Sequence, residues 1–191
     1  MTSSNPYRKG QKTLIIGDLK KFKSFDQRVL NSKSDKTGLS LFHHYIINSK
    51  EAKIDSQEVI QTFIQGGVDI NQLSDKEHGF YSALHFAVDY PASFELTKVL
   101  VENGIDITLK DENGNTAFWN ACHNYRGDKE QRKIIEYLFN NWASTETPNK
   151  LGVSVTDLIK QLGKSIDEEL NPNEWDLRKL KITKGETCDN P

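Results

Sequence analysis

SALHFAVDYPASFELTKVLVENGIDITLKDENGNTAFWNACHNY, residues 82–125, begins twice in the same way, first as SALHFAV and then as TAFWNAC. The run LVENGIDI between the two starts has the pattern of a helix that ends at Gly104. A start signal, a stop signal and a turn that recur at a regular spacing indicate an internal repeat.

Four segments of the chain share the start signal. They read GLSLFHHY, FYSALHFA, GNTAFWNA and GVSVTDLI, and they bring Ser40, Ser82, Thr116 and Ser154 into register. A Ser or Thr hydroxyl in front of a helix accepts a hydrogen bond from a free amide of the first turn. We therefore predict a helix after each of these four residues.

Three segments share the stop signal. VIQTFIQGGVDIN, LTKVLVENGIDIT and IIEYLFNNWASTE carry apolar residues at helical spacing, among them Val59, Phe63 and Ile64 in the first. Gly67 and Gly104 stand 37 residues apart at the ends of the first two, and Gly readily adopts the left-handed conformation that ends a helix. The sequence thus predicts pairs of helices joined by turn-rich segments such as DENGN.

This pattern resembles the ankyrin repeat, which has a period of about 33 residues and the signature T-P-L-H-x-A. The match is strongest at SALHFA followed by LTKVLVENGIDI. The resemblance implies an all-α fold, an ankyrin-repeat solenoid of stacked antiparallel helix pairs with short hairpin-like tips and polar capping ends. The chain departs from the family signature at the Pro position, which is occupied by Leu41, Ala83, Ala117 and Val155.

The resemblance divides the chain into three parts. We expect a flexible basic head (1–13), an ankyrin-repeat domain (14–170) and a C-terminal cap and tail (171–191). Within the domain we expect a half repeat at 14–34, repeats at about 35–71, 72–108 and 109–146, and a closing repeat at 147–170.

His43 and His85 stand at the position of the His in the family signature. In ankyrin proteins that His typically forms a hydrogen bond with neighbouring backbone, so the resemblance implies a structural role for both residues. Trp119 and Asp157 stand at the same position in the following repeats. We interpret Trp119 as a packing residue that replaces the backbone hydrogen bond by apolar area. A role in partner contact is the alternative.

Charge is distributed unevenly along the chain. Residues 1–36 hold nine Lys and Arg against three Asp and Glu, a net charge of +6. Residues 37–170 hold twelve against twenty, a net charge of −8. The acidic middle makes nucleic acid an unexpected partner and favours a basic protein. An acidic surface without any binding role is the alternative.

The sequence shows no set of residues that would carry catalysis or hold a metal. His43 and His44 are adjacent and point to different sides of a helix, a poor geometry for one ion. Cys122 and His123 are also adjacent, so they cannot face each other as nucleophile and base. IQGGVD lacks the glycine spacing and the lysine of a phosphate loop. We expect no enzyme, cofactor, metal or small-molecule substrate.

Two further features bear on location. Cys122 is expected to be a small buried side chain, and Cys188 gives no reason to expect a disulfide. The longest apolar runs, such as LIIG, fall far short of the roughly 18 residues of a membrane span, and MTSSNPYRKGQK lacks the apolar stretch of a secretory signal. We interpret the protein as soluble and cytoplasmic, with no membrane partner.

Ankyrin proteins mostly bind other proteins, and the resemblance places the contact on the hairpin tips and first helices. Carried over by position, the tips are 75–81 and 110–115. Aromatic side chains with an acidic rim are typical of a protein-binding hot spot. Packing of Phe80 and Tyr81 between repeats is the alternative. The expected partner-binding residues are Asp75, Glu77, Phe80, Tyr81, Asp89, Tyr90, Asp111, Glu112, His123, Asn124 and Tyr125.

The predicted function is a non-catalytic module that holds a basic partner protein on its concave surface, as an inhibitor, an adaptor or a toxin-neutralising immunity protein. The alternative is a nucleic-acid or membrane-surface binder that uses the basic head. The basic residues of YRKGQKTLIIGDLKKFK could touch phosphate, although a solvated helix face explains them more simply.

Overall fold

The computed structural model describes residues 5–50, 54–89, 92–141 and 143–165. A short 3-10 turn, Lys76–His78, precedes the sixth helix. The helices of the described residues are α1 (Pro6–Ile16), α2 (Leu19–Lys23), α3 (Gln27–Leu30), α4 (Leu41–Asn48), α5 (Ser56–Gln65), α6 (Ala83–Val88), α7 (Phe94–Glu102), α8 (Ala117–His123), α9 (Lys129–Asn140) and α10 (Val155–Ser165).

All four predicted helix starts are confirmed. The hydroxyls of Ser40, Ser82 and Thr116 accept hydrogen bonds of 3.1, 3.4 and 3.2 Å from the backbone amide three residues on. The hydroxyl of Ser154 accepts the equivalent bond from Asp157, at 3.1 Å. Each residue satisfies one of the amides that a helix start leaves unpaired.

The predicted helix ends are confirmed at two positions. Gly67 and Gly104 have φ angles of 76° and 83°, the left-handed conformation that glycine adopts without steric cost. Trp142 stands at the corresponding place in the third segment, IIEYLFNNWASTE, and lies outside the described residues.

The helices form two layers. α4, α6, α8 and α10 each contact the next in one layer, and α5, α7 and α9 do so in the other. This is the all-α stack of helix pairs that the sequence predicted. A pair buries its apolar side against its neighbours, so the core is continuous along the stack.

Four hairpin tips connect the pairs, and each is closed by a backbone hydrogen bond between its first and last residue. These bonds run from the amides of Ser34, Ser74, Asp111 and Asn149 to the carbonyls of Leu39, Tyr81, Asn115 and Val153. Neighbouring tips are also joined, because Glu112 N donates to Gly79 O and Lys150 N to Asn113 O, both at 2.9 Å. The last three tips therefore form one connected edge of the stack.

The N-terminal unit is a helix pair, whereas the sequence predicted a flexible head followed by a half repeat. Asn5 caps α1 with a 3.2 Å bond from Arg8 N, and Pro6 occupies the first helical position. α1 packs on α4, and α2 packs on α5. Gly10 allows this approach, since a Cβ there would lie 2.3 Å from Leu41 Cδ2. The residues from Pro6 onward thus belong to the stack.

Aromatic rings fill the N-terminal half of the core. Phe63 meets Phe22 and Phe42 edge to face, with ring centroids 5.1 and 5.2 Å apart. Ile64, which shares the helical apolar spacing of Val59 and Phe63, is 38% exposed, whereas those two residues are buried. The predicted cap and tail, including Cys188, lie outside the described residues.

Candidate functional site

A groove of about 190 Å³ opens between α4, α6 and the tip that precedes α6. Ile47, Tyr81, Phe86 and Asp89 line it. Ile47 is 37% exposed, and the two aromatic residues are half-buried. The groove therefore offers apolar surface that is within reach of a partner.

Ring contacts hold the aromatic wall of the groove in place. The ring of Phe86 lies 5.3 Å from that of Tyr81 and 5.5 Å from that of His43. Tyr81 also lies 5.2 Å from the ring of His85. The two histidines are buried, so the half-buried rings of Tyr81 and Phe86 pack against side chains that are themselves held in the core.

Carboxylates surround Tyr81. Burial raises the pKa of its hydroxyl, and the negative charges of Asp89, Asp111 and Glu112 raise that pKa further, while a hydrogen bond with Asn120 opposes them. Three carboxylates close enough to disfavour a phenolate also attract a cation. Tyr81 therefore lies in a negative electrostatic environment.

Trp119 extends the aromatic surface onto α8. Its interpretation as a residue that replaces the backbone hydrogen bond by apolar area is wrong. Its indole N–H donates to Val153 O at 3.0 Å. Its ring stacks on the exposed His123, with centroids 4.8 Å apart and planes 21° apart. Trp119 thus combines the backbone bond with a partly exposed ring.

His43 and His85 have the structural role that the resemblance implied. Their Nε2 atoms lie 3.2 Å from Gln72 O and 3.0 Å from Asn115 O. Ser82 N donates to Nδ1 of His85, so the ring proton is assigned to Nε2. The imidazole of His85 joins its helix to the following tip, and that of His43 joins its helix to the backbone just before the following tip.

These histidines are poor acids or bases. Burial lowers the pKa of His43 to about 4 and also lowers the pKa of His85, so both rings are neutral at pH 7. The hydroxyl of Ser82 lies 2.7 Å from Nδ1 of His85, as in a nucleophile–base pair. Both residues are buried, however, so this contact serves as a helix cap that no substrate can reach.

Asp111 was predicted as a surface charge, and the structure corrects this. It is 5% exposed. Its Oδ1 accepts from Asn113 N at 2.8 Å and Asn115 N at 2.9 Å, and its Oδ2 accepts from Asn115 Nδ2 at 3.2 Å. The carboxylate therefore holds the turn of its tip and is not open to direct contact.

The tip before α6 presents the other predicted residues. Phe80 is 40% exposed and has a φ of 54°, unusual for a residue with a side chain. Glu77 and Glu112 are exposed. Asp75 is engaged within the tip, since its Oδ1 lies 2.6 Å from His78 Nδ1. Phe80 is thus open to contact, while Tyr81 is the more packed of the two aromatics.

The remaining predicted residues lie at the ends of α6 and α8. Asn124 Nδ2 donates to Asp89 Oδ1 at 3.2 Å, which links the two helices. Tyr125 is partly buried and packs against the core. Tyr90 lies outside the described residues.

Three residues of this surface were missing from the predicted set: Ile47, Phe86 and Trp119. The signal for Phe86 was its place beside His85, since two adjacent residues of a helix point to different sides. For Trp119, the resemblance favoured a role in packing inside the stack. The structure shows that part of the ring also reaches the surface.

Within the described part of the chain, no group of three His, Cys, Asp or Glu residues is arranged to hold a metal ion. No helix there has the length and apolar character needed to cross a membrane. Cys122 is buried, and burial raises the pKa of its thiol.

Comparison with known families agrees with the geometry. The family model for ankyrin repeats, in three copies, matches residues 44–149, from within α4 to the start of the tip before α10. A comparison with curated proteins finds no match. The matched region is more than half of the chain and contains the groove. The chain therefore belongs to the ankyrin-repeat family, whose repeats are generally non-catalytic modules of protein–protein interaction.

Proposed function

We propose that this protein is a non-catalytic binding module that holds a partner protein on the groove face, defined as the exposed sides of α4, α6 and α8 with the tip 74–81. The observation that carries the proposal is the row of partly exposed, packed side chains Ile47, Phe86, Tyr81 and Trp119. Rigid aromatic and aliphatic groups of this kind are typical anchors of protein interfaces, because they bury much area at little cost in conformational entropy.

A basic partner is favoured by the charge around these anchors. Asp89 lines the groove, and Glu77 and Glu112 are exposed on the adjacent tips. A Lys or Arg of the partner that enters beside Asp89 would lie over an aromatic ring and gain a cation–π contact. The net charge of −8 over residues 37–170 would also speed the encounter with a basic protein.

We propose that the protein acts by binding its partner stoichiometrically. It would be an inhibitor, or an immunity protein that neutralises a basic toxin by occupying its surface. An adaptor that only joins proteins would use the same groove face. His43 and His85 are buried and neutral, which supports binding of the partner without catalytic turnover.

Two isoleucines provide a matched test. Ile47 and Ile64 are 37% and 38% exposed, but Ile47 lies in the groove and Ile64 on α5 in the other layer. The partner is first captured from native cell extract with the wild-type protein, and each variant is then titrated with it by calorimetry. We expect Ile47→Asp to weaken binding by about 1–3 kcal/mol and Ile64→Asp to leave the affinity unchanged. Equal losses, or no loss in either variant, would exclude the groove.

The second candidate function is nucleic-acid or membrane-surface binding through the basic residues of α1 and α2. Lys20 and Lys21 are exposed there. If Lys20→Glu with Lys21→Glu abolishes partner binding while Ile47→Asp has no effect, the site lies at the basic end and the groove-face proposal is wrong.

A further inference from the structure

The outer side of α1 carries a stripe of cationic and apolar side chains. Arg8, Lys12, Ile15 and Ile16 follow at helical spacing, and all four are exposed. Ile15 and Ile16 are 62% and 64% exposed, far more than the other isoleucines with a described exposure. The opposite side of α1 packs on α3 and α4, so this stripe forms the outer face of the stack.

A groove of about 300 Å³ runs beside this stripe, between α1 and α2. Ile16, Thr13 and Asp18 line this groove. Four cationic side chains complete the lining: Arg8, Lys9, Lys12 and Lys21. We call this surface the basic end. It combines a concentrated positive charge with apolar side chains.

The positive charge of the basic end is largely uncompensated. The one acid of the groove, Asp18, is already used as the cap of α2, where it accepts from Lys21 N at 3.0 Å. Lys9 lies over the ring of Phe25, 5.0 Å from its centroid. None of the salt bridges among the described residues involves Arg8, Lys12 or Lys21.

The chemistry of the basic end selects a ligand that is both acidic and apolar. Carboxylates would pair with the cations, and apolar side chains would cover Ile15 and Ile16. A nucleic-acid strand fits less well, because it would leave the two isoleucines uncovered and would find no exposed aromatic ring there for base stacking.

The same chain contains a segment with this composition. IDEELNPNEWDL, residues 166–177, holds five Asp and Glu and no Lys or Arg. It also holds Ile166, Leu170, Trp175 and Leu177. We propose that the basic end of one molecule binds residues 166–177 of a second copy.

The distance along the stack favours a second copy over the molecule's own segment. α4, α6 and α8 lie between α1 and α10, which is four helix-to-helix steps, or roughly 32–40 Å at the usual spacing. The twelve residues 166–177 span at most about 40 Å when fully extended. Within one molecule the segment would have to stretch completely to bring only its last residues to the groove.

The resulting association is head to tail. Each copy offers one basic end and one acidic segment, so the contact is heterologous and can add further copies at both ends. The basic end lies on α1 and α2, away from the groove of α4 and α6, so this association is independent of the proposed partner site. Ile47→Asp should leave it unchanged.

Sedimentation velocity of the full chain tests the proposal. We expect the average mass of the wild type to rise with concentration and to fall when the salt is raised, because salt screens the contact. Lys12→Glu with Lys21→Glu should remain monomeric. The matched control is Lys50→Glu with Lys129→Glu, which makes the same charge change at two other exposed lysines and should associate like the wild type.

Mixing two variants identifies the two halves of the contact. The first is Lys12→Glu with Lys21→Glu, which retains the acidic segment. The second is Glu168→Lys with Glu169→Lys, which retains the basic end. Each alone should be monomeric, and an equimolar mixture should associate, because the intact basic end of the second variant then meets the intact acidic segment of the first.

Three results would overturn the proposal. One is a mixture that stays monomeric. Another is a monomeric wild type together with binding of a peptide of residues 166–177 to the Glu168→Lys, Glu169→Lys variant, since the molecule's own segment would then occupy the basic end. The third is a monomeric wild type that binds phosphatidylserine vesicles through Lys12 and Lys21, which would make a lipid surface the ligand.

Discussion

The indole N–H of Trp119 donates a hydrogen bond to the carbonyl of Val153, at 3.0 Å. In the preceding repeat the Nε2 atom of His85 has the same role toward Asn115, which like Val153 is the last residue of its tip. His43 Nε2 instead lies 3.2 Å from Gln72 O, two residues before the next tip. The position therefore accepts an indole as well as an imidazole as the ring that bonds the backbone of the next repeat.

Removal of this donor should destabilise the C-terminal part of the stack. Trp119→Phe keeps an aromatic ring but leaves Val153 O without its bond, so we expect a loss of about 1–3 kcal/mol in urea unfolding. A benzothienylalanine at position 119 keeps the ring size and removes only the N–H. Unchanged stability with that residue would show that the hydrogen bond contributes nothing.

The sequence predicted the features that depend on neighbouring residues. Ser82 caps a helix, and Gly104 ends one, through contacts within a few residues, so their chemistry could be recognised directly. The bond from Trp119 spans 34 residues, and the burial of Asp111 depends on the packing of the tips. Neither followed from local pattern. α1 was missed because its inner side includes Gly10, which interrupts the apolar spacing.

Stability should depend on the buried second helices. Leu100 of α7 has no exposed area, whereas Leu151 in the last tip is 86% exposed. Leu100→Ala should cost about 2–5 kcal/mol because it leaves a cavity, and Leu151→Ala should cost less than about 0.5 kcal/mol. Urea unfolding of both variants measures the difference. Similar losses would mean that the helix register is wrong.

Stability should fall as the pH decreases from about 6.5 toward 4. The pKa of His43 is about 4 in the folded protein, below its ordinary value, so protonation favours the unfolded chain. The stabilisation is complete above the unfolded pKa and is lost on acidification, by about 3 kcal/mol for this group. The lowered pKa of His85 acts in the same direction.

His43→Gln provides the control for this pH dependence. The Gln amide can still donate to Gln72 O but does not titrate. Unfolding free energies at pH 6.5 and 4.5 should differ less in the variant than in the wild type. The same slope in both proteins would assign the acid sensitivity to other groups.

Cys122 should resist thiol reagents in the native protein. Its side chain is buried, and burial raises the pKa of the thiol, so the reactive thiolate is scarce. Modification by a disulfide reagent, followed by peptide mapping, should reach Cys122 only after denaturant is added. Rapid native labelling at this residue would contradict the packing of α8.

Phe80 offers a way to separate binding from folding. Its backbone is left-handed, with φ at 54°, and the residue is 40% exposed next to Tyr81 of the groove. Gly adopts this conformation freely, whereas Ala keeps the steric cost of a Cβ, about 1–2 kcal/mol. Phe80→Gly should therefore be more stable than Phe80→Ala by about 1 kcal/mol, the reverse of their usual order in regular structure.

If the ring of Phe80 contacts the partner, both variants should lose the same affinity in calorimetric titration despite their different stabilities. Affinities that follow the stabilities would instead show that Phe80 acts through the shape of the tip.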